Sequence, residues 1–407
     1  KALVRQGELS KGIRKFQELV ANYPESEYVP RAHYWLALAN LEKLEYTQAM
    51  VHINRFLEDY PDHEIRNRVL FLAGDINLEQ DNDQEALHYY SMVAESAEDQ
   101  EAMEEAMLRQ ARLFYRFEEW ERAAESYESL LHKGISWEDR YQYSLRLGDC
   151  YIETGKCAEA LALYDEILPQ VTKVQDEAPV MLGRAAGYSC MDSLDAAMKE
   201  YESVTRKFPR SIFSSEAFYR LGLIYHERLD SLQLAQESFE KAAQESSTSD
   251  FSMIASQKAS SIKRLLELQQ EDGAGSSMEK LAEKRFMAAE IQLTRLGETD
   301  RAVENYRAVV DSFPDSRFAP MAAYALGFIF RKEFQDSTGA VDAWTDLVRR
   351  YPRSPQARGA LEKMASAGSD SMVRGLYAYI DSAMADTAGV AGELRRRKQI
   401  AALDSIR

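Results

Sequence analysis

The chain has 407 residues, 45% of them apolar and 29% charged, with a formal net charge of −17. That composition can fold around a core, while the acidic balance disfavours nucleic acid, which attracts basic surfaces. No apolar run approaches the roughly 18 residues of a membrane span. Three cysteines, Cys150, Cys157 and Cys190, are too few for a disulfide framework. All three fall in apolar helical patterns and read first as small buried side chains. A Cys157–Cys190 or similar bridge stays open in an oxidising compartment.

The chain opens at Lys1, without Met, inside half of a structural unit. This predicts a fragment or a processed product, with any signal peptide or lipid anchor lying upstream. From Gly12 onward a small residue recurs at Ala49, Ala86, Ala123, Ala160 and Ala197, in steps of 37. Four residues after each stands a large apolar one: Phe16, Ile53, Tyr90, Tyr127, Tyr164 and Tyr201. Ala235 with Phe239 continues the series at a step of 38, and Ala302 with Tyr306 and Ala340 with Trp344 resume it. A fixed period in the range of ~20–50 residues predicts a solenoid.

Each unit reads as a helix pair. In "YSLRLGDCYIETGKCAEALALYDEIL", Leu147, Gly148 and Tyr151 share one face of a first helix, "ETGK" breaks it, and Ala160, Tyr164 and Ile167 line a second. Gly148 and Ala160 let the backbones approach, and Tyr151 and Tyr164 fill the space beside them. Neither stripe can be buried by one helix alone, so neighbouring units must stack. Pro24, Pro61, Pro209, Pro314 and Pro352 stand twelve residues after the small position, where a proline ends the second helix. Ser26, Ser211, Ser316 and Ser354 follow two residues later and can cap the next helix. The aromatic before each proline (Tyr23, Tyr60, Phe208, Phe313, Tyr351) can seal the joint between units.

This pattern resembles the tetratricopeptide repeat (TPR) family. Leu147, Gly148 and Tyr151 with Ala160 and Tyr164 match its motif, as do Leu221, Gly222 and Tyr225 with Ala235, Phe239 and Ala242. The resemblance covers residues 1–367 and implies an all-α fold, a right-handed superhelical solenoid of antiparallel helix pairs. The family unit is about 34 residues; here it is mostly 37, which implies longer helices or turns. The aromatic-Pro-x-Ser step further resembles a branch of bacterial envelope proteins, the BamD-like outer-membrane lipoproteins and the YbgF-like Tol–Pal partners.

Four segments are expected. Residues 1–270 form an N-terminal array of about seven repeats, the first truncated. The Gly/Ser-rich residues 271–276 are a linker, and 277–367 hold further repeats. Residues 368–407 form a helical capping tail or a flexible C-terminus. Within the tail, "RRRK" (Arg395 to Lys398) reads as a solvated helix face, or as a contact for acidic lipid or an acidic partner.

Motifs for chemistry are weak. The six histidines form no His-x-x-x-His pair, and "HEIRN" at His63 lacks the second histidine of a zinc-protease helix. "GAGSS" at Gly273 has no strand before it to make a phosphate loop. "DNDQE" at Asp81 lacks the calcium-loop glycine. No Gly-x-Ser-x-Gly occurs. The expectation is a protein that is not an enzyme and takes neither cofactor nor metal.

The resemblance also implies a concave wall built from the first helices. Its spacing selects Arg31, Tyr34, Leu38; Arg68, Phe71, Asp75; Leu108, Arg112, Tyr115; Leu145, Asp149, Ile152; Tyr219, Leu223, His226; and Tyr324, Phe328, Arg331. Aromatic and Arg side chains anchor protein interfaces. The Lys/Asn clamp that relatives use for a terminal carboxylate is missing, since Tyr34/Leu38, Phe71/Asp75, Leu108/Arg112 and Leu145/Asp149 hold its places. The expected function is a non-catalytic scaffold for one or more proteins in a bacterial cell envelope, periplasmic or outer-membrane-associated. The alternatives are a cytoplasmic regulatory module and a glycan-binding module.

Overall fold

The recurrent small residue is where two helices of a pair touch. A computed structural model describes residues 9–96, 99–132, 134–270, 277–365 and 370–385, and every regular element in them is helical. The chain falls into two compact units, Lys1–Phe208 and Pro209–Arg407.

In the first unit, α1 (Leu9–Asn22) precedes five pairs: α2 (Val29–Glu42) with α3 (Tyr46–Asp59), α4 (Arg66–Leu78) with α5 (Asp83–Ser96), α6 (Gln100–Arg116) with α7 (Trp120–Leu131), α8 (Trp137–Glu153) with α9 (Cys157–Ile167), and α10 (Val174–Cys190) with α11 (Leu194–Lys207). The second helix of each pair buries its small residue and its large one to 3% exposure or less, and Ala160 and Tyr164 to zero. The first helix answers with Ala37, Gly74, Ala111, Gly148 and Ala185 in turn, all buried. The fit leaves no slack at the glycines. A methyl group on Gly74 would lie 2.3 Å from the Tyr90 ring, and one on Gly148 would lie 2.3 Å from that of Tyr164. Dense interlocking of this kind supplies much of the core energy of a stacked array.

The second unit begins with α12 (Ile212–Leu223) and α13 (Leu232–Glu245), followed by a long helix, α14 (Asp250–Gln270). Two further pairs are α15 (Met278–Ile291) with α16 (Thr299–Ser312), and α17 (Phe318–Lys332) with α18 (Ser337–Arg350). Then come α19 (Pro355–Ala365) and α20 (Asp370–Ala385). Gly222 meets Phe239 and Gly327 meets Trp344 in the same interlock. Helix α14 explains why the sequence period fails between Ala235 and Ala302. Its Ala255, Ala259, Ile262 and Leu265 share a core with Phe239 and Ala242, but no second helix follows to complete a pair among the described residues. Polar side chains bridge beside this half unit: Arg301 Nη2 lies 2.6 Å from Asp230 Oδ1, His226 Nε2 2.9 Å from Glu298 Oε1, and Asn305 Nδ2 donates to Gln292 Oε1 at 2.7 Å.

The expected linker, 271–276, lies outside the described residues. The compact units divide between Phe208 and Pro209 and not near 270. Within the second unit, Ile262 and Leu265 before the linker share one core with Ala288 and Leu296 after it. At the far end, α20 buries Val373, Leu376, Tyr379 and Ile380 in the core of the last repeats.

Helix junctions follow two rules. Ser211 Oγ accepts from Ser214 N at 3.1 Å and Ser354 Oγ from Ala357 N at 3.2 Å, as N-caps. Ser26 and Ser316 instead accept from the amide two residues on, and His63 takes the serine's place with Nδ1 accepting from Ile65 N at 3.2 Å. Of the aromatics before the prolines, Phe313 and Tyr351 pack on the core, but Tyr23 is 65% exposed and seals nothing.

Inside each pair the turn is closed by a residue with left-handed backbone. These are Leu44, Asp81, Glu118, Gly155, Asp192, Asp230, Gly297 and Gln335, with φ between 48° and 75°. Their spacing is that of the repeat. In the 37-residue units the following amide donates five residues back, as from Glu45 to Asn40 and Lys156 to Tyr151, the usual bond of a helix that ends in this conformation. Where the step is 38, the bond reaches six back, from Ser231 to Tyr225 and from Asp336 to Phe330. Glu298 likewise reaches Gln292. The extra residue is absorbed as a π-helical turn at Ile224–Arg228, and the same turn occurs at Gln292–Leu296.

Cys157, the first residue of α9, and Cys190, the last of α10, are joined by a disulfide, with Cα atoms 5.7 Å apart. The reading as small buried side chains therefore fits only Cys150, which is a buried free thiol.

Candidate protein-binding wall

Of the selected residues of the first unit, Phe71 and Asp75 join one polar–aromatic cluster and Tyr115 and Asp149 a second. In each, an arginine at the same repeat position, Arg109 or Arg146, lies over an aromatic ring near a carboxylate. The rings stand at different repeat positions, and Asp75 comes from the repeat before Arg109 whereas Asp149 shares the helix of Arg146. Asp75, on α4, accepts from Tyr90 Oη at 2.8 Å and from Arg109 Nη1. The Arg109 guanidinium lies 4.8 Å from the Phe71 ring centre and 5.3 Å from that of Tyr90, and its Nε donates to Glu105 Oε1 at 2.7 Å. One repeat later, Arg146 lies 4.8 Å from the Tyr115 ring centre. Tyr115 Oη donates to Asp149 Oδ2 at 2.8 Å, and Trp120 meets the Tyr115 ring edge-on at 5.1 Å. Arginine over an aromatic face is attractive because the cation meets the negative π cloud.

Burial, followed by the Asp149 charge, pushes the Tyr115 phenol up to about 12. Burial and the Asp75 bond likewise raise Tyr90. Both rings therefore stay neutral donors at any physiological pH.

Between these clusters α6 presents Arg109, Arg112 and Arg116 on one face. With Asp75, Leu78, Tyr90, Glu105 and Leu113 they line a recess of about 430 Å³. Arg109 is held by carboxylates, and Arg116 pairs with Asp83. Arg112 is exposed and has no ion-pair or hydrogen-bond partner among the described residues. The arrangement offers an uncommitted cationic donor, Arg112, beside rings held by their neighbours, which suits a carboxylate and an apolar group carried by one partner.

The other selected residues are placed as follows. Arg31 pairs with Glu64 in solvent, and Arg68 is exposed. Tyr34 and Leu38 are half-buried against the core of the α2–α4 region. Leu108 packs on the same core as Tyr115, and Leu145 and Ile152 pack on the core that holds Tyr164. In the second unit Tyr219 stacks on Phe239 and Phe251, at 5.6 and 5.1 Å, with Leu223 beside them. His226 is buried against Glu298. Tyr324, Phe328 and Trp344 form an edge-to-face chain at 5.0 and 5.5 Å, and Arg331 stays exposed. Arg109 and Arg146 were not selected from the sequence, although their 37-residue separation could have revealed them.

Residues 1–132 match the family model of an outer membrane lipoprotein, YfiO. Tetratricopeptide-repeat models match 108–174, 215–248, 285–316 and 321–354. No curated protein matches the sequence. Among solved structures, the C-terminal part of a TPR repeat-containing protein from Cytophaga hutchinsonii is 15% identical, with a TM-score of 0.46, over 62% of this chain and 96% of its own. A tetratricopeptide repeat protein from Parabacteroides merdae is 16% identical, with a TM-score of 0.45, over 76% of this chain and 97% of its own. The helix pairs described above are tetratricopeptide repeats, and the chain is a protein of that repeat class whose first 132 residues resemble the YfiO outer membrane lipoproteins.

Proposed function

We propose that the protein is a non-catalytic scaffold of a bacterial cell envelope, which holds another protein against the Arg–aromatic wall of its first unit. The observation that carries this is Arg112, an exposed guanidinium among rings and arginines that are already fixed by their neighbours. Side chains locked before binding lose little entropy on association, and Arg and Tyr are the residue types that dominate interface energetics.

Two features support the envelope. The YfiO match is to an outer membrane lipoprotein and, over residues 1–132, covers Phe71, Arg112 and Tyr115 of the wall. The Cys157–Cys190 disulfide belongs to an oxidising compartment, since cytosolic thiols are kept reduced. No helix among the described residues is long and apolar enough to cross a membrane, so attachment would need an anchor of another kind.

The test is affinity capture from envelope extracts with the parent chain and with Phe71→Ala, Arg112→Glu and Tyr115→Ala together. Loss of specific proteins from the variant's captured set supports the reading. An unchanged set with a correctly folded variant rejects it.

A further inference from the structure

In the last repeats, a groove of about 450 Å³ opens between α16, α17 and α18, lined by none of the residues selected for partner binding. Its floor is apolar, with Leu326, Phe330 and Leu347. Its rim carries four carboxylates, Asp311, Asp336, Asp342 and Asp346, against two guanidiniums, Arg307 and Arg350. Arg350 is engaged with Asp311 at 3.4 Å, and the Asp336 carboxylate caps Gly339 N at 2.8 Å. Asp346 is exposed and has no ion-pair or hydrogen-bond partner among the described residues. An apolar floor under a negative rim fits a segment that carries aliphatic and basic side chains together.

The chain contains one such segment. In an acidic protein, "LRRRKQIAAL" (Leu394 to Leu403) places four consecutive cations between Leu394 and the aliphatic residues Ile400 and Leu403. It also lies within reach. Tyr379 of α20 donates through Oη to the carbonyl of Arg349 at 3.2 Å, and the next residue, Arg350, is on the groove rim. Helix α20 ends at Ala385, six residues past Tyr379 and so about 9 Å along the axis. The eight residues 386–393 can span up to roughly 28 Å. We propose that the chain's own Leu394–Leu403 segment seats in this groove, its leucine and isoleucine side chains on the floor and Arg395 to Lys398 against the Asp rim. The tail would then cover Phe330, the half-buried ring of a floor whose Leu326 and Leu347 are already buried. This surface is distinct from the wall proposed for partners, so either proposal can fail without the other.

Lys398 is the single lysine of residues 386–407, which makes a zero-length carbodiimide crosslink diagnostic. The full chain is treated at several concentrations, and carboxyl–amine crosslinked peptides are read by mass spectrometry. The expected result is an intramolecular link from Lys398 to Asp346, Asp342 or Asp336 whose yield does not change with concentration. With Asp342→Asn and Asp346→Asn together, the yield to the remaining rim carboxylates should fall to the level seen at Glu240, a half-buried carboxylate on α13. A second variant, with Arg395, Arg396 and Arg397 changed to Glu, leaves the groove intact and should deprotect α18 amides in hydrogen exchange. Links found only between two copies, no rim links at all, or unchanged α18 protection would each overturn the proposal.

Discussion

Changing Gly148 to alanine adds one methyl group where the array has no room for it. The new Cβ would lie 2.3 Å from Tyr164 Cζ and Oη. The ring cannot swing aside, because a methyl on Gly183 of the next repeat would meet the same ring at 2.4 Å. Tyr164 is thus clamped between two glycines and has no exposed surface. Overpacking a tight core costs about 1–3 kcal/mol, and the trapped ring puts this site toward the upper end. The better helix propensity of alanine returns about 1 kcal/mol. The net expectation is a loss of about 1–2 kcal/mol, localised to α8 and α9. Gly187→Ala is the control, since its nearest neighbour is the end of a flexible leucine, Leu161 Cδ2 at 2.9 Å. It should be neutral or mildly stabilising. Urea unfolding gives the overall difference, and hydrogen exchange assigns it to helices. Tyr164→Leu should make the Gly148→Ala change nearly free in a double-mutant cycle. If Gly148→Ala and Gly187→Ala behaved alike, the interlock reasoning would be wrong.

Leu44 holds a left-handed φ of 59° while 67% exposed, so Leu44→Gly removes about 1 kcal/mol of backbone strain with little packing lost and should raise the unfolding midpoint. His33 sits with Nδ1 3.3 Å from Nδ1 of His52, and burial followed by the His52 charge lowers it to about 4. Its folded value lies below its unfolded one, so the unfolded chain binds the proton first. Stability should therefore fall as pH drops from about 6.5 to about 4, by about 2–3 kcal/mol, and His33→Gln should flatten that slope in urea titrations across pH. Reducing the Cys157–Cys190 bond, which closes a sequence separation of 33, should cost about 3–4 kcal/mol on the chain-entropy account, seen as earlier urea unfolding of the first unit under reductant. An unchanged midpoint would contradict that.

Much of this fold was legible because packing constraints recur. The small residue and its large partner four positions on must interlock in every pair, so Ala160 and Tyr164 announce themselves. The left-handed turn was not legible, because backbone geometry recurs there without residue identity: Leu44, Asp81, Glu118 and Gly155 all serve. The paired cysteines looked like core residues because each lies at a helix end next to apolar positions. Pairing across two units depends on stacking that no local pattern reports. The lone α14 showed only as a shortfall in spacing. On the wall, Phe71, Asp75 and Tyr115 lie half-buried on their first helices, and Arg109 and Arg146, which reach them from the first helix of the next repeat, were not read from the sequence. A long flexible side chain can settle on either neighbour, and only coordinates show which.

The docking wall is tested most directly by a photoactivatable residue placed at position 112 in living cells, compared with one at position 125 on the exposed side of α7. The account predicts a discrete protein adduct from position 112 that disappears when Phe71 and Tyr115 are changed to Ala, and none from 125. Equal labelling at both positions, or an adduct from 125 alone, would contradict it.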